Sequence, residues 1–195
     1  MKITNLAEDS EDFTGNVWSV ENKGEKTLVD VGAGDCWKEI EKLDSVDKVI
    51  MTHTHRDHVE NMEKVSEKLD PEIYSFNPEN PDVNSSELEE SEKIMFSGME
   101  FDIIHTPGHK DDSICLYNPE NKVLFTGDLI FPEGSFGRTD LEEGDREKLI
   151  ESIKKITELE VEEFYPGHGN PVEEDADKCI AKSLENAEKR EVKYQ

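Results

Sequence analysis

Basic residues are scarce in this chain, and their scarcity argues against two classes of partner. Only 22 lysines and arginines stand against 48 aspartates and glutamates, so the formal net charge at pH 7 is -26. A surface field of this sign repels both the phosphate backbone of nucleic acids and anionic membrane surfaces. We therefore expect neither a nucleic acid nor a membrane as a partner.

Cysteines are also rare, and long apolar runs are missing. The three cysteines, Cys36, Cys115 and Cys179, are odd in number and form no CxxC motif, so a disulfide framework is not expected. No apolar run approaches the length of a membrane span, and the first residues, MKITNLAEDSEDF, lack the basic and apolar regions of a signal peptide. These features favour a cytoplasmic protein.

Hydrophobic residues make up only 33% of the sequence, against 36% charged residues. Such a composition is typical of disordered chains, but here apolar residues recur with regular periods along most of the sequence. The 195 residues lie within the usual size of one domain, and no linker rich in Pro, Gly or Ser divides them. We therefore expect a single folded domain over residues 1–195.

Short strands and amphipathic helices are intermixed in the predicted secondary structure. The predicted strands are Asn16–Val20, Thr27–Val31, Val46–Thr52, Glu100–His105, Ser113–Tyr117, Val123–Thr126 and Val161–Tyr165. The predicted helices carry apolar stripes at Trp37, Ile40 and Leu43, at Met62, Val65 and Leu69, at Leu149, Ile150, Ile153 and Ile156, and within Ala176–Lys189. This mixture predicts an α/β fold with helices packed outside sheets.

Turn and cap signals connect these elements. Lys23-Gly24 is the predicted turn between the first two strands, and Asp35 and Asp145 are predicted helix caps. The polar segment 77–92, which contains Pro78 and Pro81, is predicted to be an exposed loop.

The segment 53-HTHRDH-58 places three histidines and one aspartate directly after a predicted strand. On an extended chain, side chains two residues apart point the same way, so His53 and His55 can bind one ion together. Asp57 and His58 follow after the chain bends, and they can reach a second ion. Imidazole suits zinc, iron and nickel, and a carboxylate adds a hard oxygen ligand. We therefore interpret the segment as a metal-binding motif.

Three further candidate ligands also follow predicted strands. His109 ends the sequence HTPGH and His168 lies in YPGHG, where a Pro-Gly turn presents each histidine at a strand end. Asp128 follows the apolar strand VLFTG, where a carboxylate is costly unless it is paired or binds a metal. Active sites of open sheets lie at such strand ends. The pattern therefore predicts one shared site.

The motifs HTHRDH, TPGH, TGD and PGHG occur in the order and at the spacings typical of the metallo-β-lactamase superfamily, which the chain resembles from Leu28 to His168. The resemblance implies an αββα four-layer sandwich, with two mixed sheets face to face and helices outside. It also implies two divalent metal ions, with zinc expected first and iron or manganese as alternatives. The implied ligands are His53, His55 and His109 for the first ion and Asp57, His58 and His168 for the second, with Asp128 bridging both.

The same resemblance implies a hydrolase in which a metal-bridging hydroxide attacks the substrate, and in which Asp57 orients that hydroxide as well as binding metal. Asp128 disfavours class B β-lactamase activity, because those enzymes typically lack a bridging aspartate there. The segment 125-FTGDLIFPEGSFGRTDLEEGD-145 resembles the glyoxalase II-like branch, which hydrolyses thioesters of the hydroxyacylglutathione type. The expected partner is therefore a small-molecule substrate.

Three departures from the glyoxalase II pattern bear on the substrate rather than on the metal site. Only residues 169–195 follow the last candidate ligand, where that branch carries a helical domain that helps to bind glutathione. Glu60 stands where relatives usually have glycine, and the sequence NPV replaces paired threonines after PGHG. We therefore expect a loose preference for the thiol half of the substrate.

Two other activities fit the same motifs. One is an iron-dependent persulfide dioxygenase, in which the resemblance implies iron on His53, His109 and Asp128. The other is a lactonase, because hydroxide attack on a cyclic ester is the same chemistry.

Three polar residues near the motifs have more than one interpretation. Asp30 is either a turn residue at a strand end or a residue that supports the site without binding metal. His105 is expected to be structural or to support a ligand rather than to bind metal itself. Arg138 either organises the loop Ser135–Asp140, meets an acidic substrate, or forms a local ion pair with Asp140.

The charge imbalance predicts that added salt stabilises the protein. Carboxylates repel one another at low ionic strength, and the Debye length falls from about 10 Å at 0.1 M salt to about 3 Å at 1 M. We expect the melting temperature to rise steadily from dilute buffer to molar sodium chloride, as in a protein adapted to a halophilic environment. A flat or falling melting temperature across this range would contradict the halophilic hypothesis.

Overall fold

The computed structural model of the protein describes residues 1–76 and 84–189. Its strands form where apolar residues alternate or follow one another along the chain. The strands are β1 (Lys2–Asn5), β2 (Trp18–Asn22), β3 (Glu25–Val29), β4 (Lys48–Ile50), β5 (Glu72–Ser75), β6 (Ser86–Glu87), β7 (Lys93–Phe96), β8 (Met99–His105), β9 (Ile114–Asn118), β10 (Val123–Gly127), β11 (Ile130–Phe131), β12 (Ser135–Phe136) and β13 (Glu163–Pro166). The helices are α1 (Trp37–Ile40), α2 (Arg56–Val59), α3 (Met62–Leu69), α4 (Arg146–Thr157) and α5 (Ala176–Lys189), with short 3-10 helices at Gly34–Cys36 and Pro132–Gly134.

Two mixed sheets organise these strands. The first has the order β1-β2-β3-β4-β5-β6, with antiparallel pairing from β1 to β3 and parallel pairing from β3 to β6. The second has the order β13-β10-β9-β8-β7, in which only the β13–β10 pair is parallel. The strands β11 and β12 form a separate hairpin. Parallel neighbours end at the same edge of their sheet, so β4 ends beside β3, and β10 ends beside β13.

The two sheets share an apolar layer. The inner cluster combines side chains of both sheets, among them Val29, Ile50, Phe101, Phe125 and Tyr165. Their chain neighbours point to the outer faces, because successive residues of a strand alternate between the two sides of the sheet. The space between the sheets is therefore filled largely by apolar side chains.

Helices cover both outer faces. On the first sheet, Leu28 packs in one buried cluster with Ile40 of α1 and Val65 of α3. On the second sheet, Leu124 packs with side chains of α4 and α5, among them Leu149, Ile153 and Ile180. The order helix, sheet, sheet, helix confirms the predicted α/β class and the αββα sandwich. Within the described ranges, no helix has the length and apolarity that crossing a bilayer requires.

Local sequence signals explain several element boundaries. Lys23 and Gly24 have φ angles of 52° and 87°, and they connect β2 to β3 as a two-residue turn, as predicted. The predicted strand Thr27–Val31 instead ends at Val29, because Asp30 adopts a φ of 62° and leaves the extended region. Asp145 caps α4, and its carboxylate accepts a hydrogen bond from the Lys148 backbone N–H at 3.1 Å.

Two local predictions were wrong. In the predicted loop 77–92, residues 77–83 lie outside the described part, but Ser86–Glu87 form β6 at the edge of the first sheet. Leu88 is buried, and its backbone N–H donates to the Ser75 carbonyl at 2.9 Å. Asp35 makes no side-chain cap hydrogen bond, because its carboxylate accepts from the Ser10 hydroxyl and the Asp12 backbone N–H instead.

The shared apolar layer predicts a large cost for removing one aromatic ring. Phe96 is fully buried and stacks on Phe101 with ring centroids 3.9 Å apart, whereas its strand neighbour Met95 is 54% exposed. We expect Phe96→Ala to lower the free energy of unfolding by about 3–5 kcal/mol, and Met95→Ala to change it by less than about 0.5 kcal/mol. Urea denaturation of both variants measures this difference, and equal losses would contradict the assigned layer.

Candidate functional site

All seven candidate ligands lie at the ends of strands on one side of the molecule. The chain leaves β4 at Ile50, passes His53 and His55, and enters α2, which carries Asp57 and His58. The remaining three follow other strands: His109 after β8, Asp128 directly after β10, and His168 two residues after the end of β13. The strand ends therefore bring together residues that are far apart in the sequence.

The ligand-type atoms of the seven residues form three overlapping groups. Within each group the nitrogen and oxygen atoms lie within 4.8 Å of one another. The groups are His53, His55 and His109, which we call the first triad; Asp57, His58 and His168, the second triad; and His53, His58 and Asp128. The last group overlaps both triads, so the Asp128 carboxylate lies between them.

Distances to the Asp128 carboxylate define its position. Its Oδ2 lies 3.4 Å from Nε2 of His109 in the first triad and 3.5 Å from Nε2 of His168 in the second. Its Oδ1 lies 3.4 Å from Nε2 of His58. One carboxylate therefore faces nitrogen atoms of both triads.

Three of the histidine rings are fixed by hydrogen bonds through Nδ1. His53 contacts the Thr52 hydroxyl at 3.1 Å, His58 contacts the Asp30 carboxylate at 2.8 Å, and His109 contacts the Arg138 carbonyl at 2.9 Å. Each of these contacts leaves Nε2 turned toward the cluster. Metal-binding histidines typically have this arrangement, in which the second ring nitrogen holds the orientation of the ring.

Three buried atoms of the cluster have no hydrogen-bond partner. They are Nε2 of His53, Nε2 of His58 and Oδ1 of Asp128. A buried polar atom without a partner is destabilising by about 1–3 kcal/mol, and more when it is charged. Imidazole nitrogens with carboxylate oxygens suit divalent transition metals. The residues present therefore fit a metal ion, which would supply the missing interactions.

Asp30 connects the backbone of the first sheet to this cluster. It is 2% exposed, and its Oδ1 accepts a hydrogen bond from the Thr52 backbone N–H at 2.8 Å. Its Oδ2 accepts from the Thr52 hydroxyl at 2.7 Å and faces Nδ1 of His58 at 2.8 Å. Asp30 is thus both the residue that ends β3 and a support for two residues at the site.

Burial and nearby charges shift the pKa values of the site in opposite directions. Burial lowers the pKa of His53 well below its ordinary value. Burial alone would lower the pKa of His58 too, but the carboxylates of Asp128 and Asp30 raise it well above its ordinary value. Burial would raise the pKa of Asp57, but the hydrogen bond to His168 and the charge of His58 lower it to about 2. Asp57 is therefore an ionised carboxylate at neutral pH.

The segment Phe13–Asn16 also supports the site, a role that no sequence motif predicted. The Gly15 backbone N–H donates to the Asp57 carbonyl at 2.9 Å, and the Asn16 N–H donates to the Gly167 carbonyl at 2.7 Å. A Cβ at Gly15 would lie 2.6 Å from the His58 ring, so only glycine fits there. Phe13 is 81% exposed and stacks on His168 with centroids 5.4 Å apart. A glycine and an asparagine just before a strand were the only available signal.

The structure defines the surroundings of His105 and Arg138, whose roles the sequence left open. His105 lies outside the three groups; its Nε2 contacts the Asp111 carbonyl at 2.7 Å and its ring stacks on Phe76. The exposed Arg138 guanidinium pairs with both carboxylate oxygens of Asp140, at 2.8 and 2.9 Å. The backbone carbonyl of Arg138, rather than its side chain, reaches the site through His109.

Comparison with known proteins identifies the family. A model of the metallo-beta-lactamase superfamily matches residues 11–168, a span that contains all seven residues of the cluster. The chain belongs to the metallo-beta-lactamase superfamily, whose members are metal-dependent hydrolases. The family fold implies divalent metal ions, in agreement with the chemistry of the clustered side chains.

Individual relatives include thioester-cleaving hydrolases. Hydroxyacylglutathione hydrolase GloC of Haemophilus influenzae is 28% identical over 163 residues, which cover 71% of this chain and 75% of that protein. Atrochrysone carboxyl ACP thioesterase of Aspergillus fumigatus is 27% identical over 186 residues, and the chain spans only 57% of its length. The crystal structure of TTHA1623 in a di-iron-bound form is 26% identical with a TM-score of 0.74, covering 88% of this chain and 94% of that one.

The three contacts of Asp30 predict that its charge supports metal binding. Replacing Asp30 by Asn removes the negative charge and leaves one acceptor oxygen for the three contacts to Thr52 and His58, and loss of such partners typically weakens metal affinity by about 10–100-fold. We expect this loss for zinc in a chelator competition titration of Asp30→Asn. The exposed Asp44→Asn variant carries the same charge change and should bind zinc like the parent protein. Equal zinc affinity of all three proteins would contradict the supporting role of Asp30.

Proposed function

We propose that the clustered residues bind two divalent metal ions. In this proposal His53, His55 and His109 hold the first ion, Asp57, His58 and His168 hold the second, and Asp128 bridges them. The observation that carries the proposal is the convergence of the unpartnered buried atoms of His53, His58 and Asp128. Zinc is the proposed metal, because it suits mixed imidazole and carboxylate ligands, with iron or manganese as alternatives.

We further propose that the reaction is hydrolysis of small acyl thioesters, of which hydroxyacylglutathione is the model. Two relatives support this choice, since one is named a hydroxyacylglutathione hydrolase and the other an acyl carrier protein thioesterase. In the reaction, water adds to the thioester carbonyl carbon, the C–S bond breaks, and a carboxylic acid and a free thiol form. A thiolate is a good leaving group at neutral pH, so the sulfur atom does not need to be protonated by an acid when the C–S bond breaks.

Residues of the chain supply orientation and charge for this reaction. Two divalent ions, held by the residues of the two triads, would lower the pKa of water and would stabilise the oxyanion of acyl transfer. Asp57 is ionised and half-buried, so its carboxylate can accept a hydrogen bond from the attacking water. The Nδ1 contacts of His53, His58 and His109 keep the rings in place while charge develops.

The cysteines of the core are unsuited to act as nucleophiles. Burial raises the pKa of the Cys115 thiol to about 12, and it also raises the pKa of the Cys36 thiol. A thiol must ionise to attack a carbonyl carbon, and neither group does so near neutral pH. Water is therefore the nucleophile that the proposal requires.

The loop after β12 supports a glyoxalase II-like branch. A Cβ at Gly137 would overlap the Asp128 carbonyl, so the backbone of this loop lies directly against the bridging residue of the proposal. The next residue, Arg138, holds His109 through its carbonyl oxygen. The loop that contains the GRTD sequence thus supports the candidate site through its backbone. The resemblance to the glyoxalase II-like branch implies that this loop lies beside the cluster.

The proposal predicts thioesterase activity that depends on Asp128. Zinc-loaded protein should hydrolyse S-lactoylglutathione and other small hydroxyacyl thioesters, measured by release of free thiol. Asp128→Ala should lower kcat/KM by about 1000-fold, or ~4 kcal/mol in the barrier, because it removes the carboxylate between both triads. Asp44→Asn is the control and should keep full activity.

Three outcomes would overturn parts of this proposal. Full activity of Asp128→Ala would exclude the assigned site. Hydrolysis of lactones but no thioester would change the substrate class while keeping the site. Oxygen consumption with a persulfide by the iron-loaded protein, without thioester cleavage by the zinc-loaded protein, would replace hydrolysis by an oxidation.

A further inference from the structure

A buried lysine lies beside the first triad. The Lys110 side chain is only 11% exposed, and it directly follows His109 in the sequence. An ammonium group is strongly destabilised by burial unless carboxylates compensate its charge. Here Nζ lies 2.9 and 3.0 Å from the two oxygens of Glu143 and 3.6 Å from Oδ1 of Asp112. Lys110 is therefore the centre of a three-residue charge network.

Asp112 connects this network to the segment that carries His53 and His55. Its Oδ2 accepts a hydrogen bond from the hydroxyl of Thr54, the residue between those two histidines. Its Oδ1 has no hydrogen-bond partner, so the ammonium group of Lys110 is the charge that compensates it. Asp112 and Thr54 are both buried, which shields these interactions from water and salt.

Glu143 connects the network to the loop that orients His109. That loop contains Arg138, whose carbonyl holds Nδ1 of His109, and it ends at Asp145, whose backbone N–H donates to the Gly108 carbonyl at 2.8 Å. The charges of Glu143, Lys110 and Asp112 thus join three segments, 53–55, 108–113 and 137–145. These segments carry or orient every residue of the first triad.

The second triad is held by contacts from other parts of the chain. Asp57 is held through its carbonyl by Gly15, and His58 is held through Nδ1 by Asp30. These two contacts do not involve Lys110, Glu143 or Asp112. The segment 53–55 reaches the second triad through its backbone, because the His58 N–H donates to the His55 carbonyl at 2.9 Å. A change at Lys110 should therefore act mainly on the first triad.

We propose that Lys110, with Glu143 and Asp112, is a positioning unit that sets the metal affinity of the first triad. This inference rests on the two-metal assignment of the proposed function.

Removing the charge of Lys110 distinguishes a positioning role from a purely electrostatic effect on metal binding. Lys110→Met leaves two uncompensated carboxylates near the first triad, and extra negative charge alone would tighten cation binding. Loss of positioning would weaken it instead. Lys110→Arg keeps a cation that can pair with both carboxylates and serves as the rescue variant. Lys148→Met removes an exposed lysine paired with Asp111 and serves as the charge-matched control.

The test measures zinc affinity of each triad by itself. Zinc is titrated against a chelating indicator in two backgrounds: His168→Ala, which keeps the first triad intact, and His55→Ala, which keeps the second. We expect Lys110→Met to weaken zinc binding by about 10–100-fold in the first background and by less than about threefold in the second. Lys110→Arg and Lys148→Met should stay within about threefold of the parent in both.

Several results would overturn the inference. These are tighter or unchanged zinc binding by Lys110→Met in the His168→Ala background, equal weakening in both backgrounds, or no zinc binding in either background. If Lys110→Met fails to fold by circular dichroism, Glu143→Gln decides, since Glu143 is 43% exposed and should show the same selective loss. This experiment measures only zinc binding. Absence of thioesterase activity would therefore refute the proposed reaction but would not affect the result of this test.

Discussion

The arrangement of the site depends on the burial of polar atoms that the protein itself leaves without partners. Nε2 of His53, Nε2 of His58 and Oδ1 of Asp128 are buried within one cluster, and each is costly there without a further interaction. A fold tolerates this cost when a cation completes the cluster. The contacts around the cluster hold these atoms in place against the cost of their desolvation.

Support for the cluster comes from three directions. The end of the first sheet supplies Asp30, which fixes both Thr52 and His58. The segment before β2 connects the first sheet to the end of β13 in the second sheet, because Nδ2 of Asn16 donates hydrogen bonds to the carbonyls of Pro166 and Gly169 at 2.9 and 2.8 Å. The loop after β12 holds His109 through a backbone carbonyl. The apolar layer between the sheets keeps these supports at fixed separations.

Sequence patterns could predict which residues cluster at the candidate site, because ligand-type side chains and strand ends coincide in short motifs. HTHRDH crowds four ligand-type side chains into six residues, and each Pro-Gly turn places a histidine at the end of a strand. An α/β fold with helices outside sheets could likewise be predicted, since the apolar periods of strands and helices are distinct, whereas the αββα layer order was implied by the family resemblance. Among the described strands, β1, β5, β6, β7, β11 and β12 were not predicted, because strands of two to four residues are too short to show an apolar period and depend on pairing with a neighbour.

The contacts that support the candidate site could not be predicted from the sequence, because they depend on pairing between distant segments. Asn16 and Pro166 are 150 residues apart, and their hydrogen bond uses a backbone carbonyl that any residue could supply. The role of Arg138 likewise comes from its carbonyl, whereas a sequence draws attention to the guanidinium. Lys110 looks like an ordinary surface lysine until the fold brings Glu143 and Asp112 around it.

The two-metal centre is the central claim, and anomalous X-ray diffraction from zinc-loaded crystals tests it most directly. The account predicts two anomalous peaks about 3.5–4 Å apart, one surrounded by His53, His55 and His109 and the other by Asp57, His58 and His168, with the Asp128 carboxylate touching both. A single peak outside these triads, or Asp128 turned away from two bound ions, would contradict it.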